Sequence, residues 1–258
     1  MIHKDEFDGN IVFGGAEFHQ LSHRKDVAKT LRQKQYPDFF SYSTSGIEMI
    51  PSAFDVVETC PICDGSNIVL SRILKDGMKI DECMDCRFGY QNPRVKTSML
   101  DKLYTKEGTH NYQRYSSPGS KFVDQRKNDY GIQEARLAAG SRELQSVLEL
   151  GAGNFDFLKR CLDAGFTKLV GVEPGCLQEN IPLDPMIEKY NDLGDALLDN
   201  THFDLIALWD TLEHIIDFPQ TLVSLRNCIA PGGILLIMVP NFYSLATRLI
   251  REESPTFN

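Results

Sequence analysis

Four cysteines have the type and spacing that most directly indicate chemistry in this chain. They form two pairs, Cys60-x2-Cys63 and Cys83-x2-Cys86, with 19 residues between the pairs. This spacing is typical of a structural zinc site, because each pair turns two sulfurs toward one ion and four thiolates complete its tetrahedron. No position is left for a catalytic water, so we predict a structural zinc. The alternative is four thiols that hold no metal.

A short glycine turn is the second such feature. Gly151, Ala152 and Gly153 follow an apolar run and precede a helical pattern. Glycines there let the backbone approach a ligand, and the helix start offers unpaired amides to an anionic group. Glu173 lies 20 residues beyond Gly153 at the end of the next apolar run, where it can accept hydrogen bonds from ribose hydroxyls. The combination predicts a cofactor that contains a nucleoside.

Two kinds of cofactor use this arrangement. A dinucleotide site would have a third glycine where this chain has Asp156, whose charge would oppose a pyrophosphate. The zwitterionic tail of S-adenosylmethionine tolerates acidic neighbours better, and Glu149, just before the glycines, is placed to attract its amine. The residues therefore favour S-adenosylmethionine over NAD.

The elements that must position these residues alternate between strands and helices. Short apolar strands are predicted at residues 146–150, 168–173, 203–209 and 233–239, and helices at 154–164 and 218–229. Such alternation is typical of a parallel sheet covered by helices on both faces. Upstream, an alternating run at 68–74 indicates strand structure between the cysteine pairs, and residues 121–137 are predicted to form another helix.

The chain divides into four parts on this interpretation. Residues 1–59 form an N-terminal extension of unclear structure, and residues 60–92 form a zinc-binding module with four cysteine ligands. Residues 93–142 form a helical linker, and residues 143–258 form the cofactor-binding domain. The predicted fold class is α/β, with a Rossmann-like parallel sheet preceded by a small zinc-ribbon-like module.

Composition and charge exclude several other classes. Of the 258 residues, 42% are hydrophobic and 24% are charged, which is ordinary for a soluble globular protein. The longest apolar stretch, residues 234–239, is far too short to cross a bilayer, and the start has no apolar core of the signal-peptide type. We therefore predict a cytoplasmic protein with no membrane partner. Residues 1–59, 60–145 and 146–258 carry net charges of −3, +3 and −9, which argues against nucleic acid as a partner.

Four stretches of the chain resemble the motifs of class I S-adenosylmethionine-dependent methyltransferases. They follow the family's order at residues 149–153, 171–174, 203–215 and 230–241. The resemblance implies that the cofactor is bound by Glu149, Gly151, Gly153, Glu173 and Asp210. The two glycines would frame its methionine part, Glu173 would hold the ribose, and Asp210 would line the pocket. Asp192 and Asp195 are candidates for the adenine side.

The cysteine module and residues 91–94 are similar to the zinc-bearing lead-in of a subgroup that methylates sugars and other small metabolites. The implied acceptor is a small molecule, such as a sugar or sugar nucleotide. Methyl transfer to a hydroxyl needs positioning, exclusion of water and a base for the proton. His214 is the candidate base, and its alternative role is that of a structural or capping histidine. Tyr112 and Tyr115 either close over the cofactor or pack the linker.

Two further hypotheses remain open. One is an RNA methyltransferase, because some zinc-bearing members modify ribosomal RNA, although the acidity of residues 146–258 counts against it. The other is a chain that binds cofactor or a partner without turnover. Family members continue after the fifth strand with a helix and two more strands, whereas 18 residues follow Pro240. Three alternatives follow: a truncated product, a fragment, or a variant in which residues 1–59, a partner subunit or a dimer contact covers the open edge of that strand.

Overall fold

The computed structural model describes residues 38–43, 46–73, 79–100, 118–174, 184–199, 202–241 and 243–245. Most of the predicted N-terminal extension and the middle of the linker, including Tyr112 and Tyr115, lie outside the described residues. Within the described part, no helix is both long and apolar enough to span a membrane.

The first half of the chain forms small antiparallel sheets. Its strands are β1 (Phe40–Ser43), β2 (Gly46–Met49), β3 (Phe54–Asp55), β4 (Ile68–Ile73), β5 (Lys79–Cys83), β6 (Gly89–Gln91) and β7 (Arg94–Val95). β1 pairs with β2, β3 pairs with β7, and β4, β5 and β6 form a three-stranded antiparallel sheet in that order. The three-stranded sheet contains the start of the second cysteine pair, because Cys83 is the last residue of β5.

The second half forms one parallel sheet with helices. Its elements are α1 (Pro118–Ala139), β8 (Ser146–Leu150), α2 (Asp156–Asp163), β9 (Lys168–Val172), β10 (Ile187–Tyr190), α3 (Leu193–Asp199), β11 (Phe203–Trp209), α4 (Phe218–Cys228) and β12 (Ile229–Met238). The strand order is β10-β9-β8-β11-β12, and every pair is parallel. After β8 the chain thus adds β9 and β10 on one side of that strand, and then crosses over to add β11 and β12 on its other side. Such a reversal leaves a crevice at the carboxyl ends of the central strands, where α/β proteins bind ligands.

Both faces of the central strands of this sheet are buried. Val147 packs with Phe157 and Leu158 on the face that α1 and α2 cover. Leu148 packs with Ile206 and Leu225 on the face that α3 and α4 cover. Neighbouring residues of one strand point to opposite faces, so the apolar run of β8 has to be covered on both sides. The predicted α/β fold with a parallel sheet between helices is confirmed.

Two regions differ from the sequence prediction. β10 and α3 were not predicted, because only Ile187 of the four β10 residues is buried and the strand offers no apolar run. β12 begins at Ile229, four residues before the predicted start. The strand register shifts opposite Phe203 and Leu205, and Gly232 has a positive φ of 73°. An irregularity of this kind lets the chain pair on both sides of a Pro-Gly-Gly sequence that would otherwise end a strand.

Candidate functional site

The sulfurs of the two cysteine pairs converge on one point. All four lie within 4.8 Å of one another. The Sγ atoms of Cys60 and Cys86 are 3.5 Å apart, and those of Cys63 and Cys83 are 3.6 Å apart. Four thiolates at about 2.3 Å from a tetrahedral zinc would be separated by about 3.8 Å. The donor set and its spacing therefore fit the predicted structural zinc.

The two cysteine pairs sit in matching backbone turns. The residue after each second cysteine is left-handed, with φ of 56° at Asp64 and 66° at Arg87. Its N–H donates to the carbonyl of the first cysteine, at 3.0 Å for Asp64 and 2.8 Å for Arg87. Each turn thereby directs both sulfurs to the same side. We call the turn of residues 83–88 the second knuckle.

The glycine turn follows β8 at the carboxyl end of the sheet. Gly151 has φ of +77°, and a Cβ there would lie 2.2 Å from Oγ1 of Thr211 in the loop after β11. Gly153 has φ of +51°, and a Cβ there would meet nothing within 4 Å. Both positions favour glycine for their backbone conformation. Gly151 allows two loops to touch, whereas Gly153 borders open space where a ligand can approach.

Phe155 holds the start of α2 against the sheet. It precedes α2 in a left-handed conformation with φ of 60°, and its side chain is fully buried. A Cβ at Gly171 would lie 2.5 Å from the Phe155 ring, so the glycine in β9 makes room for that ring. The large buried side chain of Phe155 is thus accommodated by a glycine in the neighbouring strand.

Glu173 and Gly153 are brought together as their spacing predicts. The N–H of Gly153 donates to Oε2 of Glu173 at 2.8 Å. Glu173 is 5% exposed. Burial raises its pKa, and the hydrogen bond from Gly153 opposes that shift. The acidic side chain is therefore held beside the glycine turn.

Glu149 is a buried acid with an unsatisfied atom. The residue is 3% exposed, and its Oε2 has no hydrogen-bond partner among the described residues. Burial raises its pKa well above the usual value, the carboxylates of Glu173 and Asp156 raise it further, and Lys127 opposes the shift. An unsatisfied buried oxygen costs stability, so a bound ligand that supplies a donor there would be stabilised.

Asp210 pairs with a lysine that the sequence analysis missed. Nζ of Lys127 in α1 lies 2.7 Å from Oδ2 of Asp210. The same Nζ lies 5.2 Å from the ring centroid of Trp209, whose Nε1 is buried without a partner in the described part of the chain. Lys127 and Asp210 are 83 residues apart, and a single lysine on a helix gives no local signal. Trp209 could have been noticed as the last residue of a strand that ends at the crevice.

His214 lies in the loop between β11 and α4. It ends a 3-10 turn, Leu212–His214, and its N–H donates to the carbonyl of Thr211 at 3.0 Å. The residue is exposed, yet packing around the imidazole lowers its pKa, and the charge of Asp210 opposes this shift. A neutral imidazole near pH 7 can accept a proton. The loop therefore carries Asp210 and His214 together, while the role of His214 as the base stays a prediction.

The two aspartates considered for adenine lie at the start of α3. Oδ1 of Asp192 accepts hydrogen bonds from the N–H groups of Gly194 at 2.6 Å and Asp195 at 3.3 Å. Both aspartates are exposed. Asp192 thus caps the N-terminus of α3. Binding of adenine by either aspartate stays a prediction.

A separate surface cavity does not include the predicted site residues. It has a volume of about 510 Å³ and lies beside α1 and α2. Arg160 in its lining pairs with Asp129 at 2.7 Å and with Asp163 at 3.2 Å. Because its charges are matched, the cavity is a weaker candidate for a charged ligand than the crevice at the glycine turn.

Known protein families and solved structures include proteins similar to this chain. A family model described as a methyltransferase domain matches residues 123–254, about half of the chain. No curated protein matches. Among solved structures, the chain is similar to an S-adenosylmethionine-dependent methyltransferase from Thiobacillus denitrificans in complex with S-adenosyl-L-homocysteine. The identity is 16%, the TM-score is 0.33, and the match covers 42% of this chain and 47% of that one. The chain thus matches about half the length of that methyltransferase.

Proposed function

The chain belongs to the methyltransferase-domain family, and on this premise we propose that it transfers the methyl group of S-adenosylmethionine to a small-molecule acceptor. The contact between Gly153 and Glu173 carries the proposal. It holds a buried carboxylate at the carboxyl end of the sheet, beside a glycine that borders open space. A carboxylate in this position can accept hydrogen bonds from ribose hydroxyls.

The charges around the glycine turn suit the methionine tail of this cofactor. Glu149 offers a buried, unsatisfied oxygen to the amine, and Lys127 offers a positive charge to the carboxylate. Lys127 contacts Asp210 and the Trp209 ring in the structure. Gly151 and Gly153 leave the backbone accessible between these groups. When bound, S-adenosylmethionine supplies a methyl group on a positively charged sulfur.

The chain's own residues position the reactants and accept the proton. The loop after β11 brings Asp210 and His214 to the same crevice as the glycine turn, because Thr211 of that loop packs on Gly151. His214, with its lowered pKa, takes the proton of an acceptor hydroxyl. The buried Leu208 and the partly buried Trp209 that follows it in β11 exclude water from one side of the crevice.

A small acceptor fits the charge of the domain better than RNA. Residues 146–258 carry a net charge of −9, and the acidic side chains of Glu173 and Asp210 lie beside the glycine turn and in the loop that packs on it. These acidic groups would repel the phosphodiester backbone of RNA. By its resemblance to the zinc-bearing subgroup, the acceptor is a sugar or a sugar nucleotide.

We further propose that Cys60, Cys63, Cys83 and Cys86 hold a structural zinc. Two of these residues, Cys60 and Cys83, are fully buried, and the other two are exposed. Four thiolates leave no open coordination position, so the ion would stabilise the fold without taking part in methyl transfer. Metal analysis of the purified protein should find about one zinc per chain, and a value well below one would contradict this assignment.

The acceptor class is tested by transfer of a labelled methyl group. The zinc-loaded protein is incubated with S-adenosylmethionine that carries a tritiated methyl, together with either a metabolite extract or total RNA. We expect label in the metabolite fraction and none in RNA. The Glu173→Gln variant is the control for background transfer. Label in RNA alone would replace the small-molecule proposal with an RNA methyltransferase, and label in neither fraction, with cofactor still bound, would indicate a chain without turnover.

A further inference from the structure

The second knuckle contacts the segment that follows β12. The Tyr243 hydroxyl donates to Oε1 of Glu82 at 2.6 Å and lies 3.1 Å from the carbonyl oxygen of Arg87. The Arg87 guanidinium also contacts the same Oε1 at 2.8 Å and lies 5.9 Å from the centroid of the Tyr243 ring. Glu82 and Tyr243, which this hydrogen bond joins, are 161 positions apart in sequence.

Glu82 is buried and therefore depends on this contact. It is 8% exposed and is one of a few charged side chains buried in the described part of the chain. A buried carboxylate is strongly destabilising unless it is paired and hydrogen-bonded. Tyr243 and Arg87 supply a donor and a positive charge, so removal of either would leave Glu82 poorly compensated.

A second contact reaches the loop that carries His214. The rings of Phe88 and Phe218 lie 6.0 Å apart. Phe218 is the first residue of α4, directly after the loop between β11 and α4. In addition, the N–H of Asp210 in that loop donates to the carbonyl of Met238 at the end of β12 at 2.9 Å. Both contacts of the second knuckle thus reach segments at the carboxyl end of the sheet.

The same residues close the knuckle around the proposed metal. Arg87 takes the left-handed conformation after Cys86, and its N–H donates to the carbonyl of Cys83 at 2.8 Å. The N–H of Cys83 donates to the carbonyl of Phe88 at 2.9 Å. Any loss of the turn around the cysteines would therefore displace Arg87 and Phe88 from their partners in the methyltransferase domain.

We propose that the second knuckle is a positioning element for the methyltransferase domain, and that Glu82, Arg87 and Tyr243 transmit metal binding to the loops at the carboxyl end of the sheet. This inference rests on the zinc site proposed above and not on the identity of the cofactor or acceptor. The loaded knuckle fixes Tyr243 and Phe218, and these residues fix the ends of β12 and of the His214 loop. Zinc binding and the stability of the sheet are then coupled.

The single tryptophan of the chain allows a direct test. Trp209 ends β11, so its emission reports on the sheet and not on the cysteine module. Thermal unfolding is followed by this emission in the zinc-loaded protein and after chelation with EDTA. We expect chelation to lower the midpoint of the wild type by about 5 °C. In Tyr243→Phe the loaded protein should already unfold at a lower temperature, and chelation should shift its midpoint by less than half as much.

Tyr90→Phe is the matched control. Its hydroxyl is also buried in the module but has no hydrogen-bond partner among the residues described, so its removal should leave the response to chelation as in the wild type. Competition with a chromophoric chelator should show zinc binding weakened about tenfold in Tyr243→Phe and unchanged in Tyr90→Phe. Equal midpoints of the wild type before and after chelation, or equal responses of the two variants, would overturn the proposal. Neither measurement uses a cofactor, so failure here is separate from failure of methyl transfer.

Discussion

The cysteine module and the parallel sheet each present a site, and they build it in opposite ways. The module places four sulfurs together through two short turns, with little apolar packing around them. Three side chains of its outer strand β4, Val69, Leu70 and Ile73, are between 42% and 59% exposed. The sheet instead buries Leu148 and Leu205 completely and collects its site residues from α1, β8, β9 and β11. A local site that lacks a core depends on its ion, whereas a site made from distant elements depends on the whole fold.

Loss of the metal ligands should have the largest effect, unfolding the module while it lowers the stability of the sheet only slightly. In Cys83→Ser the module loses the coordination energy that replaces its core, which amounts to about 10–16 kcal/mol in small zinc-binding peptides. Limited proteolysis should then cut within residues 60–90 while the parallel sheet stays protected at about 25 °C. Cys228→Ser is the control, because this thiol lies in α4 outside the cluster. Equal protection of the module in both variants would show that the module does not need zinc.

Substitution of the two glycines of the turn should affect the stability of the fold and the binding of cofactor to different extents. Gly151→Ala places a methyl against Thr211 in a left-handed conformation and should lower the free energy of unfolding by about 3 kcal/mol. Gly153→Ala meets no atoms and should cost about 1 kcal/mol through backbone strain alone. Urea unfolding measures both values. Calorimetry should nevertheless find cofactor binding weakened in Gly153→Ala, since its methyl points into the space left for a ligand. Full affinity in that variant would remove Gly153 from the binding surface.

The pH dependence of stability should report on Glu149. Its pKa is raised by burial in the folded chain, so the neutral form stabilises the fold at low pH. That stability is lost as the pH rises above the unfolded value near 4.5, with a slope of at most about 1.4 kcal/mol per pH unit. Glu149→Gln should lack this loss and should be more stable than the wild type at about pH 8. Urea unfolding of both proteins from about pH 5 to pH 8 provides the measurement. If the free energy of unfolding changed with pH in the same way in both proteins, this would contradict a raised pKa at Glu149.

The sequence predicts the central strands well because their environment is uniform. β8 and β11 are buried on both faces, so apolar runs define them without reference to the rest of the chain. β10 lies at the edge of the sheet with Glu188 and Lys189 exposed, and an edge strand of four residues leaves no such pattern. The prediction therefore fails where pairing with β9 and not burial determines the strand.

The candidate site was predictable only in part for a related reason. The cysteine spacing and the distance from Gly153 to Glu173 are local patterns, and the structure brings both sets together. The pair Lys127 and Asp210 depends on how α1 packs across β11, and no local pattern encodes that packing. A pair of side chains that meets only through tertiary packing can be recognised only from the structure.

Binding of S-adenosyl-L-homocysteine is the measurement that tests the central claim most directly. Calorimetric titration of the zinc-loaded protein should give micromolar or tighter affinity. Glu173→Gln should bind at least about tenfold more weakly, because the amide replaces a carboxylate that accepts hydrogen bonds from the ribose. Glu188→Gln, at an exposed position of β10, should bind as the wild type does. No detectable heat with the folded wild type, or unchanged affinity in Glu173→Gln, would contradict a cofactor site at the glycine turn.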